Sequence, residues 1–354
     1  MYSPSISVII PTLNRTSFLE QTLASLRSQT FQNWEAIVVD DGSTADAIAL
    51  IQQWIQQDSR LRLVQRQYSP QGAPACRNLG TQLSRGNYLI YLDSDDYLAT
   101  TALERRFEIM ERNPDLDFAV FPCIVFREHP RDLDCLFNIH KPGSDIDRFL
   151  GFDVPWQTMG PIWRRDAVTR IGLWDEALLS WQDVELHVRA IAAGLNYRKF
   201  DQPDCFFRVF QKNSVGMQSR SVTHLNSHKY LLPKLQRMLT QHGLNSPETQ
   251  NLLSGIYFWQ VQELTGQGYP DQALEIWQLG YEQGAIAPLT YRQGLRYVQT
   301  ARLPFALAKK VLRRLLRGYF RLTWPPARFP KPSNTFLKMP VDRDRIPALH
   351  LCES

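Results

Sequence analysis

Four consecutive residues, Asp93-Ser94-Asp95-Asp96, have the types and spacing that could do chemistry. They follow Tyr88-Leu89-Ile90-Tyr91-Leu92, a continuous apolar run of the buried-strand kind. On an extended chain, Asp93 and Asp95 would project to the same side. Two carboxylates held close raise each other's pKa unless a cation sits between them. Oxygen-only ligands at a strand end suit Mg²⁺ or Mn²⁺, which prefer octahedral oxygen coordination and often bridge protein to phosphate. The same residues also suit a solvated turn feeding the helix that opens near Thr101, because Asp and Ser are frequent in turns.

Two other polar clusters weigh toward chemistry. Ile6-Ser7-Val8-Ile9-Ile10 runs into Pro11, Thr12 and Asn14, and Ala36-Ile37-Val38-Val39 runs into Asp40-Asp41-Gly42-Ser43. Between these strands lie helix signals. Ser17 with Glu20 forms a capping box ahead of Leu23 and Leu26, and Ile48, Ile51, Trp54 and Ile55 recur at helical spacing. A strand is expected at Leu61-Arg62-Leu63-Val64, a loop over 72–74, a helix over 75–83, and another helix capped by Thr101 with Glu104. Apolar strands alternating with helices imply an α/β fold with a mostly parallel sheet covered on both faces. Ligands of such sheets bind beyond the carboxyl ends of the strands, where all three clusters would be delivered.

The chain has 354 residues, which implies a larger domain with an appendage. Hydrophobic residues make up 44% and charged residues 21%, the balance of a globular protein. Five scattered cysteines without a C-x-x-C argue against a zinc site or a disulfide framework and for a reducing compartment. The first eleven residues lack a charged signal-peptide n-region, and no apolar stretch approaches the roughly 20 residues of a membrane span, so a cytoplasmic location is expected. Net charge is +5, yet nine basic residues lie between Ala301 and Lys331 with no Asp or Glu among them. The remainder is near neutral, which argues against a general nucleic-acid surface and leaves a local anionic contact.

The order of motifs resembles the family-2 glycosyltransferases, which have a GT-A fold. The resemblance rests on I-S-V-I-I-P-T-L-N-R from Ile6, S-L-R-S-Q-T-F from Ser25, and A-I-V-V-D-D-G-S from Ala36. It continues through C-R-N-L-G from Cys76, R-G-N-Y-L-I-Y-L-D-S-D-D from Arg85 and W-Q-D-V-E-L-H-V-R from Trp181. It spans about residues 5–215 and implies an inverting transferase using a nucleotide-diphosphate sugar, UDP-sugars foremost. Pro11, Thr12 and Asn14 would lie near the nucleotide, with Asp40 or, in preference, Asp41 accepting from the uracil edge. Arg77 would lie near the nucleotide or its phosphates, with Asp93 and Ser94 on the donor, and Asp95 with Asp93 would hold Mn²⁺ or Mg²⁺. Asp183 would be the general base, taking the acceptor proton as the sugar C1–O bond forms. It could also cap the following helix, whose apolar positions are Leu186, Val188 and Ile191, and the two roles can coexist.

Two positions depart from the family pattern. Gln182 stands where such enzymes usually carry Glu. Phe210, in Phe207-Arg208-Val209-Phe210, stands where a metal-binding His is frequent, so Asp95 and the diphosphate would hold the metal alone. Arg208 could neutralise phosphate or form a salt bridge. Of Trp156, Trp163, Trp174 and Trp181, Trp181 with Gln182 is the foremost candidate to meet a glycan or lipid-linked acceptor.

Beyond about residue 214 strand signals vanish. The expected division is a catalytic domain over 1–215, a helical region over 216–323 and a Pro-rich extended tail over 324–354. Pro270 with Pro304 and Gly284 with Gly318 repeat at the tetratricopeptide period, although the rest of that pattern is poor. Within 306–324, Leu307, Val311, Leu312, Leu315, Leu316 and Tyr319 form one helical stripe among basic residues. That helix could pack on the helical region, or lie peripherally on an anionic membrane. A sugar nucleotidyltransferase is disfavoured because Pro11-Thr12-Leu13-Asn14 replaces a Gly-rich loop, and Walker and dinucleotide signatures are missing. A non-catalytic carbohydrate-binding scaffold on the same fold is the remaining alternative.

Overall fold

The computed structural model describes residues 3–130, 132–133, 135–209, 218–302, 311–316 and 348. Strand β1 (Ile6–Thr12) is buried at every position, which its unbroken apolar run requires. It pairs in parallel with β2 (Trp34–Asp40) on one side and β4 (Tyr88–Tyr91) on the other. β3 (Leu61–Gln65) extends the parallel part beyond β2. β9 (Pro161–Arg164) runs antiparallel to β4 and to β6 (Phe118–Val120), and β10 (Tyr197–Lys199) closes a seven-stranded sheet of order β10-β6-β9-β4-β1-β2-β3. A second, four-stranded sheet has the order β5 (Tyr97–Leu98), β11 (Cys205–Arg208), β7 (Cys123–Phe126) and β8 (Cys135–Leu136).

Period-two alternation sends β1 side chains into two different cores. Val8 and Ile10 join a cluster with Leu23 of α1 (Thr16–Arg27), Ile51 of α2 (Ala45–Gln56) and Leu103 of α4 (Ala102–Arg112). Ile9 joins the opposite cluster, with Trp163, Phe149 of α5 (Asp145–Leu150), Val168 of α6 (Arg165–Arg170) and Leu186 of α7 (Gln182–Ala192). Helix α3 (Ala73–Leu83) crosses β1 so closely that a Cβ on Gly80 would lie 2.4 Å from Ile9 Cγ2. Glycine at that position permits the approach.

Several local expectations change. Ser17 and Glu20 form no capping box: α1 begins at Thr16 with Arg15 as N-cap and no side-chain cap bond. Thr101 is the N-cap of α4, also without a side-chain bond, and Glu104 accepts from Thr30. α3 starts at Ala73, two residues earlier than the loop signal implied, with Pro74 in its first turn.

After β11 the regular elements among the described residues are helices: α8 (Val222–Gln241), α9 (Pro247–Gly266), α10 (Pro270–Glu282) and α11 (Pro288–Gln299). α8 packs on α7, and α9 on α5. Leu235, Trp259, Trp277 and Tyr297 thereby continue the apolar cluster that begins at Ile9. Pro270 opens α10 and Gly284 follows it at φ 77°, but Pro304 and Gly318 lie outside the described residues. So do Phe210 and, apart from Ala348, the expected tail. Among the described residues no helix is long and apolar enough to cross a membrane.

Candidate active site

The three polar clusters emerge at the carboxyl ends of β1, β2 and β4. Residues 93–96 form a turn closed by the Asp96 N–H donating to Asp93 O at 3.1 Å, so the extended spacing expected for Asp93 and Asp95 does not hold. The turn is not a solvated one either. Asp96 is buried and accepts from the Arg208 N–H at 2.8 Å, tying it to the second sheet. Arg208 Nε also donates to Asp95 O, and its other nitrogens donate to Gln21, Tyr97 and the carbonyls of Arg127 and Glu128. Its guanidinium is thus committed to holding the loop. Asp95 pairs with Arg15 at 3.3 Å. Burial, with the Asp93 charge adding to it, pushes the Asp95 carboxyl up to about 6 against the pull of Arg15 and Arg208. Ser94 is buried between them.

The loops after β1 and β2 brace one another. Asn14 sits at φ 51°, which Asn tolerates, donates its N–H to Ser43 Oγ and accepts from the Thr44 N–H through Oδ1. Asp40 Oδ2 accepts the N–H groups of Gly42 and Ser43, an arrangement that needs the left-handed φ of 103° at Gly42. Asp41 spends one oxygen on Arg66 at 2.5 Å and the other on the Gly72 N–H at 2.6 Å. Asp40 Oδ1 and Thr12 Oγ1 are buried without a hydrogen-bond partner, and the strand register sets Thr12 beside Asp40. Such orphaned polar atoms are costly in a native interior unless a ligand completes them. Pro11 is buried beside them.

Arg77 connects these loops to the expected base. It donates to Asp93 at 2.6 Å and, at 3.4 Å, to Gln182 Oε1, while its guanidinium lies 4.3 Å over the Trp174 ring. Gln182 in turn donates to Leu178 O. Asp183, half-buried, accepts from the Val184 N–H at 2.9 Å within the first turn of α7. Helix α7 starts at Gln182, so the N-cap is Trp181 and not Asp183. Burial raises the Asp183 carboxyl, Asp93 adds to it, and Val184 and Arg77 oppose it. Trp181 adopts a left-handed conformation, φ 59° and ψ 26°, which costs a bulky residue about 1–3 kcal/mol. Its ring stacks on Trp259 and lies tilted by 34° against His228. Trp156, Trp163 and Trp174 are buried core residues.

Sequence reasoning misses Arg15, Arg66 and His228. Arg15 ends the motif that opens at Ile6, a signal that could have found it. Arg66 and His228 have no local signal, because their partners are 25 and 48 residues away.

The family model described as "Glycosyl transferase family 2" matches residues 7–169. This stretch belongs to the family-2 glycosyltransferases. A glycosyltransferase of Haemophilus influenzae is 39% identical over 115 residues, 32% of this chain and 45% of that protein. TuaG of Bacillus subtilis, named for teichuronic acid biosynthesis, is 33% identical over 144 residues, 40% of this chain and 55% of that protein. The matches thus span about half the length of these two relatives. The chain has a GT-A fold with a C-terminal helical region: the solved structure of S. aureus TarS 1–349 in complex with UDP-GlcNAc superposes with a TM-score of 0.62 at 15% identity, covering 90% of this chain and 92% of that one.

Proposed function

We propose that the chain is an inverting glycosyltransferase moving a sugar from a nucleoside-diphosphate donor to a hydroxyl of a glycan or lipid-linked saccharide. The observation that carries this is the Arg77 bridge, which joins Asp93 of the strand-end loop to Gln182, the neighbour of Asp183. In this reading the donor-binding and proton-accepting groups adjoin one another through Arg77. The loops bearing Pro11, Thr12, Asn14, Asp40 and Asp41 receive the nucleotide, with Thr12 Oγ1 and Asp40 Oδ1 left to meet the base. Arg77, Asp93 and Ser94 face the donor. Trp181 and Gln182 adjoin the acceptor.

Asp183 accepts the hydroxyl proton as the new glycosidic bond forms. Its raised pKa makes it a stronger base than an ordinary carboxylate. Asp95 and Asp93 fit Mn²⁺ or Mg²⁺: they offer hard oxygens, and a cation would offset both the burial that raises Asp95 and the Asp93 charge that adds to it. Among the described residues no cluster of three or more His, Cys, Asp or Glu could hold a metal, so phosphate oxygens would complete the coordination. When bound, the ion would neutralise charge on the departing diphosphate. In this reading residues 1–215 carry the chemistry and 216–323 support it.

UDP-sugars are the first donors to try, since the fold neighbour holds UDP-GlcNAc. The teichuronic acid name of one relative favours a polysaccharide acceptor. Residues 306–324 are read as a peripheral contact on an anionic cytoplasmic membrane face, because Val311, Leu312 and Leu315 are exposed amid basic residues. A thermal-shift panel of UDP, GDP and their sugars, with and without Mn²⁺, tests the reading. Stabilisation by UDP-sugar that grows with Mn²⁺ is expected; no shift with any nucleotide overturns it.

A further inference from the structure

The turn that presents Asp183 is held from outside the transferase domain. Trp181, at φ 59°, redirects the chain from Ser180 into α7, and its carbonyl accepts the Glu185 N–H that starts the helix. Ser180, one residue earlier, is buried, and its hydroxyl lies 3.0 Å from Nε2 of His228 on α8. On the other side of the imidazole, Gln260 Nε2 on α9 approaches Nδ1 at 2.7 Å. An amide nitrogen can only donate, so Nδ1 accepts and Nε2 carries the proton that is given to Ser180. Burial, with His224 adding to it, keeps this imidazole neutral.

The same ring carries the next residue. Trp181 packs 4.4 Å from the His228 centroid and 5.5 Å from Trp259, while Phe152 meets its edge at 5.2 Å. One side chain of the helical region therefore hydrogen-bonds residue 180 and packs against the ring of residue 181. An apolar residue at 228 would suffice for packing alone. A histidine with both nitrogens engaged also fixes the rotation of the turn.

Resting on the reading of Asp183 as base, we propose that His228 is a positioning residue for transfer: with Gln260 and Trp259 it locks the left-handed turn at Ser180–Trp181 that aims Asp183 at the acceptor hydroxyl. The helical region is in this respect part of the catalytic apparatus, because a base displaced by about 1 Å can lose on the order of 100-fold in rate.

Hydrogen–deuterium exchange on the full chain tests the clamp without any ligand. His228→Leu, or Ser180→Ala as the milder change, should speed exchange of the amides of residues 182–187 by about tenfold or more and leave β1 and β2 protected. His228→Gln, which keeps an amide donor toward Ser180, should restore most of the protection. Nucleotide release from UDP-GlcNAc with Mn²⁺ supplies the catalytic readout: kcat should fall about 10- to 100-fold at unchanged donor KM. Combining His228→Leu with Ser180→Ala should cost no more than His228→Leu alone. Unchanged exchange over 182–187 overturns the proposal, as does a uniform rise in exchange across the sheet. Turnover that survives Asp183→Asn would refute the base assignment instead, and the exchange result would still judge the clamp.

Discussion

Asp96 accepts the Arg208 N–H and Asp41 the Arg66 guanidinium, so each acidic loop commits one carboxylate to its own shape. The unpartnered Oδ1 of Asp40, with Asp93 and Asp95 beside their arginine partners, is what the loops offer a ligand. Asp183 accepts the Val184 N–H, and Asp183→Asn should cut kcat about 10²- to 10⁴-fold while UDP binding by calorimetry stays unchanged. His187, one turn along α7, is a different case. It is fully buried against Trp163, Trp156 and Phe149, and neither ring nitrogen has a partner. Burial pushes its pKa down to about 3, with Arg77 adding to the effect. A depressed histidine pKa means the unfolded state binds the proton first, so stability is complete above about 6.5 and is lost as pH falls toward 3. His187→Leu should remove up to about 1.4 kcal/mol of destabilisation per pH unit in that window, read from urea midpoints at pH 7 and pH 4.5.

Helix α3 delivers Arg77 to Asp93 only because Gly80 lets it settle on Ile9 of β1. A methyl group there has no room, and Ile9 is buried in the sheet. Gly80→Ala should destabilise by about 1–3 kcal/mol, seen as a lower Tm. As α3 lifts, Arg77 moves with it, and donor KM should rise more than kcat falls. Between the sheets the corresponding device is Arg208, which meets the carbonyls of Asp95, Arg127 and Glu128 from the end of β11. It fixes the strand-end turn relative to both sheets.

Across the whole molecule, the apolar cluster that starts under β1 runs through α5 and α7 into α8, α9, α10 and α11. Ending the chain after residue 215 would strip α8 from α7 and α9 from α5 and cut the shared apolar cluster. That truncated protein is expected to aggregate on expression, whereas the full chain should unfold in one transition by calorimetry. The exposed Val311, Leu312 and Leu315 lie on the helical segment 311–316, which Arg313 anchors by donating to Thr300 and to the Thr265 carbonyl. Flotation with anionic liposomes at low salt should recover the protein, and Leu312→Glu with Leu315→Glu should abolish recovery.

The strands β1, β2 and β4 are legible in the sequence because buried parallel strands need unbroken apolar runs, and the polar loops are legible because they end those runs. The ordered motifs by themselves single out Asp93, Asp95, Arg77 and Asp183. Composition and period are local, however, and the ion pairs that shape the site are not. Arg15 reaches Asp95 across 80 residues, and Arg208 reaches the Asp95 carbonyl across 113. The spacing of Asp93 and Asp95 suggests an extended chain, and tertiary hydrogen bonds to Arg208 draw it into a turn instead. The left-handed Trp181 is equally hidden, since nothing in W-Q-D signals positive φ. Residue types and their order determined the fold class and the candidate chemistry. Only tertiary packing decided which carboxylates hold the loops, which are left for a ligand, and that a helix from the C-terminal region reaches the turn before Asp183.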